Sequence, residues 1–351
     1  MPQAWARLPG WALWLNALRR QSCGLYDGET ESRFRLAWRK SGDARKLIDW
    51  LRFRRELGLP PEQDSREQIV AALSRTGGSS ACDLAELLVE AGGVSVPLGE
   101  IGLSAMLRCA DRSPPVAKAL VEAGHAVSAH AGRLADIHAG QEAWREELGD
   151  QMRQAGGAVC LVGNGASLAG AGLGARIDAH AMVIRFNRWR SPSTGILDVG
   201  SRLDAWVCAP RFLNEINTVG CALPRWLVLA GPDVRYRRAG RAVDWARLAG
   251  LLDAGVKVVT IPLPVWRQAV AELGAPPSSG LLMLVWARAL LGGRGGCALA
   301  GFDGALAYGS YHHAGRAHSP GRRHAWAKEA ELLQSWIGED VARIADPVPP
   351  G

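Results

Sequence analysis

The feature that most constrains the fold is a short apolar run that ends in a glycine-rich turn. Residues 158 to 162 (Ala-Val-Cys-Leu-Val) are all apolar and continue directly into Gly163-Asn164-Gly165. Such a run is typical of a strand buried on both faces. Glycines after a strand let the backbone approach a ligand, and the helix that follows favours an anion. The dinucleotide fingerprint G-x-G-x-x-G is incomplete, because Leu168 stands at its third glycine.

Further apolar runs of strand length follow along the second half of the chain. We therefore expect an α/β fold with a Rossmann-like, mostly parallel, doubly wound sheet over residues 151–345, and a ligand at the carboxyl ends of its strands. The predicted strands are Ala158–Val162, Met182–Phe186, Ala205–Cys208, Trp226–Ala230, Lys257–Ile261 and Cys297–Ala300.

Residues 1–150 predict an accessory, mostly helical region. Alanine- and leucine-rich pieces separated by Gly-Gly and Pro-Pro breaks fill residues 65 to 148. Nearer the N-terminus, Trp11, Trp14, Leu15 and Leu18 recur at helical spacing. This apolar stripe has two interpretations: it packs on the rest of the protein, or it lies on an anionic membrane surface.

Charge is distributed unevenly along the 351 residues. Residues 1–55 carry 12 Lys and Arg against 5 Asp and Glu, residues 56–150 carry 7 against 15, and the remainder carries 22 against 14. A basic block can serve nucleic acid, an anionic membrane or a phosphorylated small molecule. We expect no nucleic-acid partner, because the aromatic stripe is not interleaved with the basic residues of the second half.

The seven cysteines are odd in number, scattered, and never spaced as C-x-x-C. This pattern predicts neither a disulfide framework nor a zinc site, and it favours a reducing compartment. No apolar run reaches the roughly 18–20 residues that span a bilayer.

Several short motifs follow the glycine-rich turn in a fixed order. The first group is Val162-Gly163-Asn164, Gly172-x-Gly174, Ile177-Asp178-x-His180, Val183-x-Arg185-x-Asn187 and Asp198-Val199-Gly200-Ser201. The later ones are Pro277-Ser278-Ser279-Gly280 before an apolar helix, Tyr311-His312-His313, and His324-x-x-x-x-Glu329. In order and spacing they resemble the large, small, third and very small motifs of the sialyltransferase superfamily (glycosyltransferase family 29-like). The resemblance covers residues 156 to about 335.

The resemblance implies a variant of the GT-A fold and an inverting transfer of a sialic-acid-type sugar from a CMP-activated donor to a glycan hydroxyl. By resemblance, His312 hydrogen-bonds the phosphate leaving group and His324 is the general base, a role that suits a side chain titrating near neutrality. Glu329 and Tyr311 are candidates for orienting groups. The donor-binding candidates are Asn164, Gly165, Asn187, Ser278, Ser279 and Gly280.

We expect no metal and no cofactor other than the sugar donor. No D-x-D pair occurs in the chain, and no Asp or Glu stands among the histidines near residue 312. A metal-dependent glycosyltransferase uses such an acidic pair to hold its cation. Asp178 and Asp198 are interpreted as structural turn residues.

The chain departs from animal members of the superfamily, which carry a membrane anchor and a disulfide between the large and small motifs. Val159 stands at the large-motif cysteine position, and Arg294 lies about where the small-motif cysteine would fall. We therefore expect a bacterial, cytoplasmic enzyme that extends a cell-surface glycan, with possible peripheral contact to the inner membrane through residues 1–55.

Three alternatives stay open. CMP-Kdo is also a CMP ester of a 2-keto-3-deoxy acid, so it could replace the sialic acid donor. A Rossmann-type NAD(P) oxidoreductase explains the strand and glycine turn, but not the P-S-S-G turn or the histidine pair. A glycan- or nucleic-acid-binding protein without catalysis explains the basic blocks.

Overall fold

The computed structural model describes residues 4–92, 99–187, 189, 195–209, 223–232, 248, 251–292, 296–303 and 322–344. By its internal contacts the chain divides into two units. The first contains residues 1–140 and 270–276, and the second contains residues 141–269 and 277–351. None of the described helices is both long and apolar enough to cross a membrane.

Helices dominate the first unit. They are α1 (Gly10–Ser22), α2 (Gly28–Ser41), α3 (Ala44–Glu56), α4 (Ser65–Leu73), α5 (Gly78–Glu90), α6 (Glu100–Ala110), α7 (Pro114–Glu122) and α8 (Ala129–Ala139), preceded by a 3₁₀ turn, Ala4–Arg7. The predicted helical region is confirmed.

Six of these helices form three consecutive pairs, α2 with α3, α4 with α5, and α6 with α7. Each pair ends in Glu-x-Gly, and the glycines Gly58, Gly92 and Gly124 all adopt left-handed φ values of 69°, 112° and 77°. A glycine in this conformation is a common helix terminator. Because the three glycines are spaced by 34 and 32 residues, the unit is an array of helix-pair repeats, whose usual period is about 33 residues.

Contacts and one disulfide join successive pairs. The second helices of the pairs, α3, α5 and α7, contact one another in that order, and α4 contacts α6. Cys82 on α5 is bonded to Cys109 on α6. The expectation of no disulfide is therefore wrong: two cysteines 27 residues apart meet because repeat stacking brings one helix against the next.

The second unit contains the sheet. Its strands are β1 (Val159–Val162), β2 (Met182–Phe186), β3 (Ala205–Cys208), β4 (Trp226–Pro232), β5 (Lys257–Ile261), β6 (Cys297–Ala300) and β7 (Val341–Arg343). Its helices are α9 (Gln141–Gln154), α10 (Gly174–Asp178), α11 (Ile196–Val199), α12 (Leu263–Leu273), which continues into the first unit, α13 (Ser279–Leu291) and α14 (Trp326–Trp336).

All seven strands are parallel, in the order β5-β4-β3-β2-β1-β6-β7. The chain therefore adds strands on one side of β1 up to β5 and then crosses to the other side to form β6. The predicted doubly wound fold is confirmed, and all six predicted strands are present within two residues of their expected ends. Strand β7 was not predicted.

Helix α9 packs on the sheet, whereas the sequence analysis assigned its residues to the helical region. The Gln141 amide bonds the backbone of Val258 and Thr260, and Arg145 bonds Thr260 through both its carbonyl and its hydroxyl. These polar side chains satisfy groups on β5. Together with α13, which is buried along most of its length, α9 contacts the sheet.

Candidate active site

The strand order places the point where the chain changes direction along the sheet between β1 and β6. Chain connections leave these two neighbouring strands in opposite directions, which opens the sheet edge to a ligand. The loops that follow β1, β2 and β6 and the N-terminus of α13 all meet there. Most of the described candidate residues lie on these segments.

Asn164 follows β1 and is held across the sheet edge. Its Nδ2 group donates to the carbonyl of Phe186, at 3.1 Å. Its Oδ1 atom is buried and accepts no hydrogen bond from any described residue. A buried acceptor without a partner is costly in a folded protein. This orphaned oxygen is therefore where a ligand donor would be most favourable.

Asn187 follows β2 in the left-handed conformation, with φ of 51°. Asparagine tolerates this conformation better than most residues. The turn is fixed, because Asn187 N–H donates to the Val207 carbonyl and its Oδ1 accepts from Ala209 N–H. The Nδ2 end of this amide is the group that can donate to a ligand.

The two glycines after β1 are required by contacts within the protein. A Cβ on Gly163 would lie 2.3 Å from the Gly301 carbonyl oxygen, and one on Gly165 would lie 2.4 Å from an Asp303 carboxylate oxygen. The loops after β1 and β6 are thus in direct backbone contact. Gly165, predicted as a donor-binding residue, packs closely against Asp303 and Gly301.

Asp303 is a site residue that the sequence analysis missed. Its carboxylate accepts from the backbone N–H of Ser167 at 2.6 Å and from the Ser167 hydroxyl at 2.5 Å. It fastens the β1 loop to the β6 loop. A single carboxylate after a strand belongs to no recognised motif, so only its position directly after the predicted strand Cys297–Ala300 could have indicated it.

Phe302 connects the sheet edge to α13. Its ring packs edge-on against Phe186, with ring centroids 5.8 Å apart. On its other side it approaches Gly280, where a Cβ would lie only 3.0 Å from the ring. The glycine of the P-S-S-G turn therefore allows the helix N-terminus to reach the edge that carries Asn164.

Ser278 caps α13 and is in turn held by Glu329. The Ser278 hydroxyl accepts from Leu281 N–H at 3.3 Å, and the Ser278 N–H donates to Glu329 Oε1 at 2.7 Å. Ser279 and Gly280 are the first residues of the helix, whose N–H groups lack intrahelical partners. Such a terminus attracts anions.

Glu329 is only 3% exposed, which is unusual for a carboxylic acid side chain. Burial raises the pKa of its carboxyl to about 7, although the hydrogen bonds from Ser278 act in the opposite direction. The helix α14 begins at Trp326, between His324 and Glu329. The two motif residues therefore lie on different elements, a preceding turn and a helix, and Glu329 joins its motif to the P-S-S-G turn.

His324 is half-buried, two residues ahead of α14. Its ring meets the ring of Trp326 edge-on, at a centroid distance of 5.2 Å. His312 and Tyr311 lie outside the described residues. In the described part of the chain, no group of three His, Cys, Asp or Glu is arranged to hold a metal ion.

The remaining large-motif residues form a buried framework beneath the site. Arg185, on β2 and fully buried, donates to the carbonyls of Val199 and Arg202, both at 2.7 Å. Desolvation lowers the pKa of Arg185 to about 10, an effect that nearby Asp178 opposes. Asp178 accepts from the backbone of residues 201 and 202.

Asp198 accepts from the N–H groups of Gly170 and Gly172, both at 2.9 Å. Together with the bonds of Asp178, this confirms both aspartates as structural turn residues. The large motif therefore consists of two asparagines at the sheet edge and a set of charged residues that holds their loops.

Comparison with known proteins gives a family match for part of the chain. Residues 136–222 match the family described as glycosyltransferase family 29 (sialyltransferase). This segment contains α9, β1 to β3, Asn164, Asn187 and the buried framework. Curated proteins include no match.

Two solved structures of a mammalian sialyltransferase are similar in part. The first, in complex with Gal-beta-1-3GalNAc-ortho-nitrophenol, has 17% identity and a TM-score of 0.36. The second has 16% identity and a TM-score of 0.40. Each comparison covers 54% of this chain and 69% of the other. Over residues 136–222 the chain is therefore similar to glycosyltransferase family 29, the sialyltransferases.

Proposed function

We propose that the chain is an inverting, metal-independent enzyme that moves a sialic-acid-type sugar from a CMP-activated donor to a hydroxyl of a cell-surface glycan. The observation that carries this proposal is the junction of three distant motifs at one sheet edge. Asn164 bonds the end of β2, Phe302 packs between Phe186 and Gly280, and Glu329 bonds Ser278. Contacts thus link residues more than 160 positions apart in the sequence.

The donor nucleotide would bind at the carboxyl edge of the sheet, beside the loops that follow β1, β2 and β6. The orphaned Asn164 Oδ1 suits an amino or hydroxyl donor of cytidine, and the Asn187 amide offers a donor beside it. The first N–H groups of α13, at Ser279 and Gly280, suit the phosphate or the sugar carboxylate. Because Ser278 already uses its hydroxyl as a cap and its N–H for Glu329, its contribution is to position this terminus.

The reaction would be a single displacement at the anomeric carbon. The acceptor oxygen forms the new glycosidic bond, the bond from that carbon to the phosphate oxygen breaks, and CMP leaves with the electron pair. His324 would take the proton of the acceptor hydroxyl. By resemblance, His312 would hydrogen-bond the departing phosphate, and the helix terminus would stabilise its charge.

CMP release tests this proposal directly. We expect release from CMP-Neu5Ac in the presence of a glycan acceptor, and a roughly 10²–10⁴-fold slower turnover in His324→Ala with CMP affinity unchanged. The matched control is His130→Ala, on α8 of the other unit, which should keep wild-type turnover. Release from CMP-Kdo alone would retain the mechanism and replace the donor sugar, whereas wild-type turnover in His324→Ala would refute the general base.

Activity should also survive an excess of EDTA. A monophosphate leaving group carries less charge than a diphosphate, and His312 with the N–H groups of α13 can stabilise it without a cation. Turnover is measured before and after chelation. Loss of activity that Mg²⁺ or Mn²⁺ restores would contradict metal independence.

The acceptor and the location form a further part of the proposal. A bacterial enzyme in the cytoplasm would extend capsule, lipo-oligosaccharide or O-antigen precursors at the inner face of the membrane. Supplying each glycan class with CMP-Neu5Ac identifies the acceptor. Transfer to none of them, with CMP still released, would show that water replaces the glycan and would overturn this part.

A further inference from the structure

The N-terminal helix turns large apolar side chains toward solvent. Trp11 is 63% exposed, Leu15 is 51% exposed, and Leu8, just ahead of the helix, is 38% exposed. Trp11 and Leu15 are four residues apart and so lie on one face of α1. The face that contains Trp11 and Leu15 is therefore not packed into the core. This excludes the packing interpretation of the stripe for these two residues.

Another face of α1 packs into the core. Leu13 and Ala17 are fully buried. Trp14, which the sequence analysis counted with the stripe, is half-buried, and its indole N–H donates to Asp49 at 2.9 Å. The outward face is thus narrower than predicted and contains Trp11 and Leu15 without Trp14.

The outward face is also held in place. The Lys40 ammonium on α2 donates to the carbonyls of Ala6 and Leu8, both at 2.8 Å. These bonds fasten the turn that leads into α1. The exposure of Leu8 and Trp11 is therefore a property of a fixed segment and not of a frayed end.

Positive charge stands at both ends of this face. Arg7 is four residues before Trp11 and Arg19 is four residues after Leu15, both are exposed, and neither forms an ion pair with a described residue. The first acidic residue of the chain is Asp27. The acids that contact α1 are already engaged, Asp27 and Glu29 by Arg20 and Asp49 by Trp14. An apolar centre between cations is the composition of a helix that lies in a membrane interface.

Most arginines of α2 and α3 form ion pairs within the protein. Arg35, Arg52, Arg54 and Arg55 pair with Glu62, Asp83, Glu31 and Glu90 of the same unit. The basic block of residues 1–55 is thus largely neutralised by internal pairs. Arg7 and Arg19, at the two ends of α1, are outside these pairs.

We propose that Leu8, Trp11 and Leu15, with Arg7 and Arg19, dock the protein on an anionic lipid bilayer. The apolar side chains would enter the acyl boundary while the guanidinium groups meet the lipid phosphates. A second copy of the chain fits this face poorly, since an antiparallel pair would place Arg7 of one copy beside Arg19 of the other. This proposal does not depend on the transfer reaction and is tested without it.

Vesicle sedimentation with the full-length chain provides the test. We expect binding to vesicles of phosphatidylcholine mixed with phosphatidylglycerol, weakening as salt is raised, and no binding to phosphatidylcholine alone. The double variant Trp11→Ala/Leu15→Ala should bind at least about tenfold more weakly, as should Arg7→Gln/Arg19→Gln. The matched control is Ile101→Ala/Leu107→Ala, which removes two exposed apolar side chains from α6 of the same unit.

Two results with vesicles would overturn the proposal. One is an absence of binding to anionic vesicles at low salt, and the other is a loss in the Ile101/Leu107 control equal to that of the Trp11/Leu15 variant. A change in oligomeric state of the Trp11/Leu15 variant without vesicles would assign the face to self-association instead. Because all the substituted side chains are exposed, thermal unfolding should be unchanged in every variant.

Discussion

The two ends of the Asn164 amide have different partners in the protein. Nδ2 bonds the Phe186 carbonyl, whereas the buried Oδ1 has no donor in the described part of the chain. An unsatisfied buried acceptor costs about 1–3 kcal/mol, and a ligand that supplies a donor recovers much of it. The unsatisfied Asn164 oxygen thus lowers the stability of the folded protein at the position where a ligand would bind, as is common at functional sites.

Replacing Asn164 tests this interpretation. Asn164→Ala should weaken CMP binding by roughly ten- to a hundredfold, since about 1–3 kcal/mol of hydrogen bonding is lost. The free energy of unfolding should change by less than about 1 kcal/mol, because the substitution removes one bond and one unsatisfied group. Calorimetric titration with CMP and urea unfolding measure the two effects. As a control, Asn16→Ala on α1 should leave CMP affinity unchanged, and unaltered binding in Asn164→Ala would exclude Asn164 from the donor site.

Glu329 predicts an unusual dependence of stability on pH. Its pKa is about 7 in the folded protein and about 4.5 when exposed, so the folded state binds the extra proton between these values. Stability from this group is therefore complete below pH 4.5, decreases as the pH rises toward 7, and is constant above it.

The variant Glu329→Gln keeps an oxygen for the Ser278 N–H and has no charge to bury. We expect it to be more stable than the wild type at pH 8, by up to about 3 kcal/mol, and similar at pH 4.5. Urea unfolding at pH 8 and at pH 4.5 measures the difference in stability between the variant and the wild type. Equal stability gains at both values would show that the charge of Glu329 is not the cause.

At the scale of elements, strands were easier to predict than helix ends or small contacts. Six strands are buried on both faces and are visible as apolar runs, whereas β7 has only three residues, two of them exposed. Asn164 and the P-S-S-G turn belong to motifs that the sequence displays. Asp303 and the Cys82–Cys109 bond depend on segments that meet only in the fold, and no local pattern indicates them.

The glycines that end the helix pairs provide a prediction for these elements. Gly124 has φ of 77°, so Gly124→Ala should destabilise the protein by about 1–2 kcal/mol although its surroundings are open. Gly132 lies inside α8, also in open surroundings and without a positive φ. Gly132→Ala should therefore stabilise by about 0.5–1 kcal/mol. Thermal unfolding compares the two, and a shift of the same sign in both variants would contradict the conformational explanation.

For the whole molecule, the disulfide bears on where the protein works. Disulfides persist mainly in oxidising compartments. Of the free cysteines, Cys160 and Cys297 are buried, and burial raises the pKa of both thiols to about 12, which makes them unreactive in the folded state.

Counting maleimide adducts on the denatured chain determines the state of Cys82 and Cys109. The purified protein should show five adducts without reductant and all seven cysteines labelled after reduction. Cys82→Ser/Cys109→Ser should show five under both conditions. In acid-quenched cells, the proposed cytoplasmic location predicts seven, and five would overturn that location.

The repeat marked by Gly58, Gly92 and Gly124 determines how the chain can gain or lose residues, as well as how it folds. Each helix pair contacts the next, so a whole pair can be duplicated or deleted without disturbing the interior of those that remain. We therefore expect the repeat unit to tolerate changes in length by steps of about 33 residues. The seam between α5 and α6 is the exception, because a new pair inserted there would separate Cys82 from Cys109.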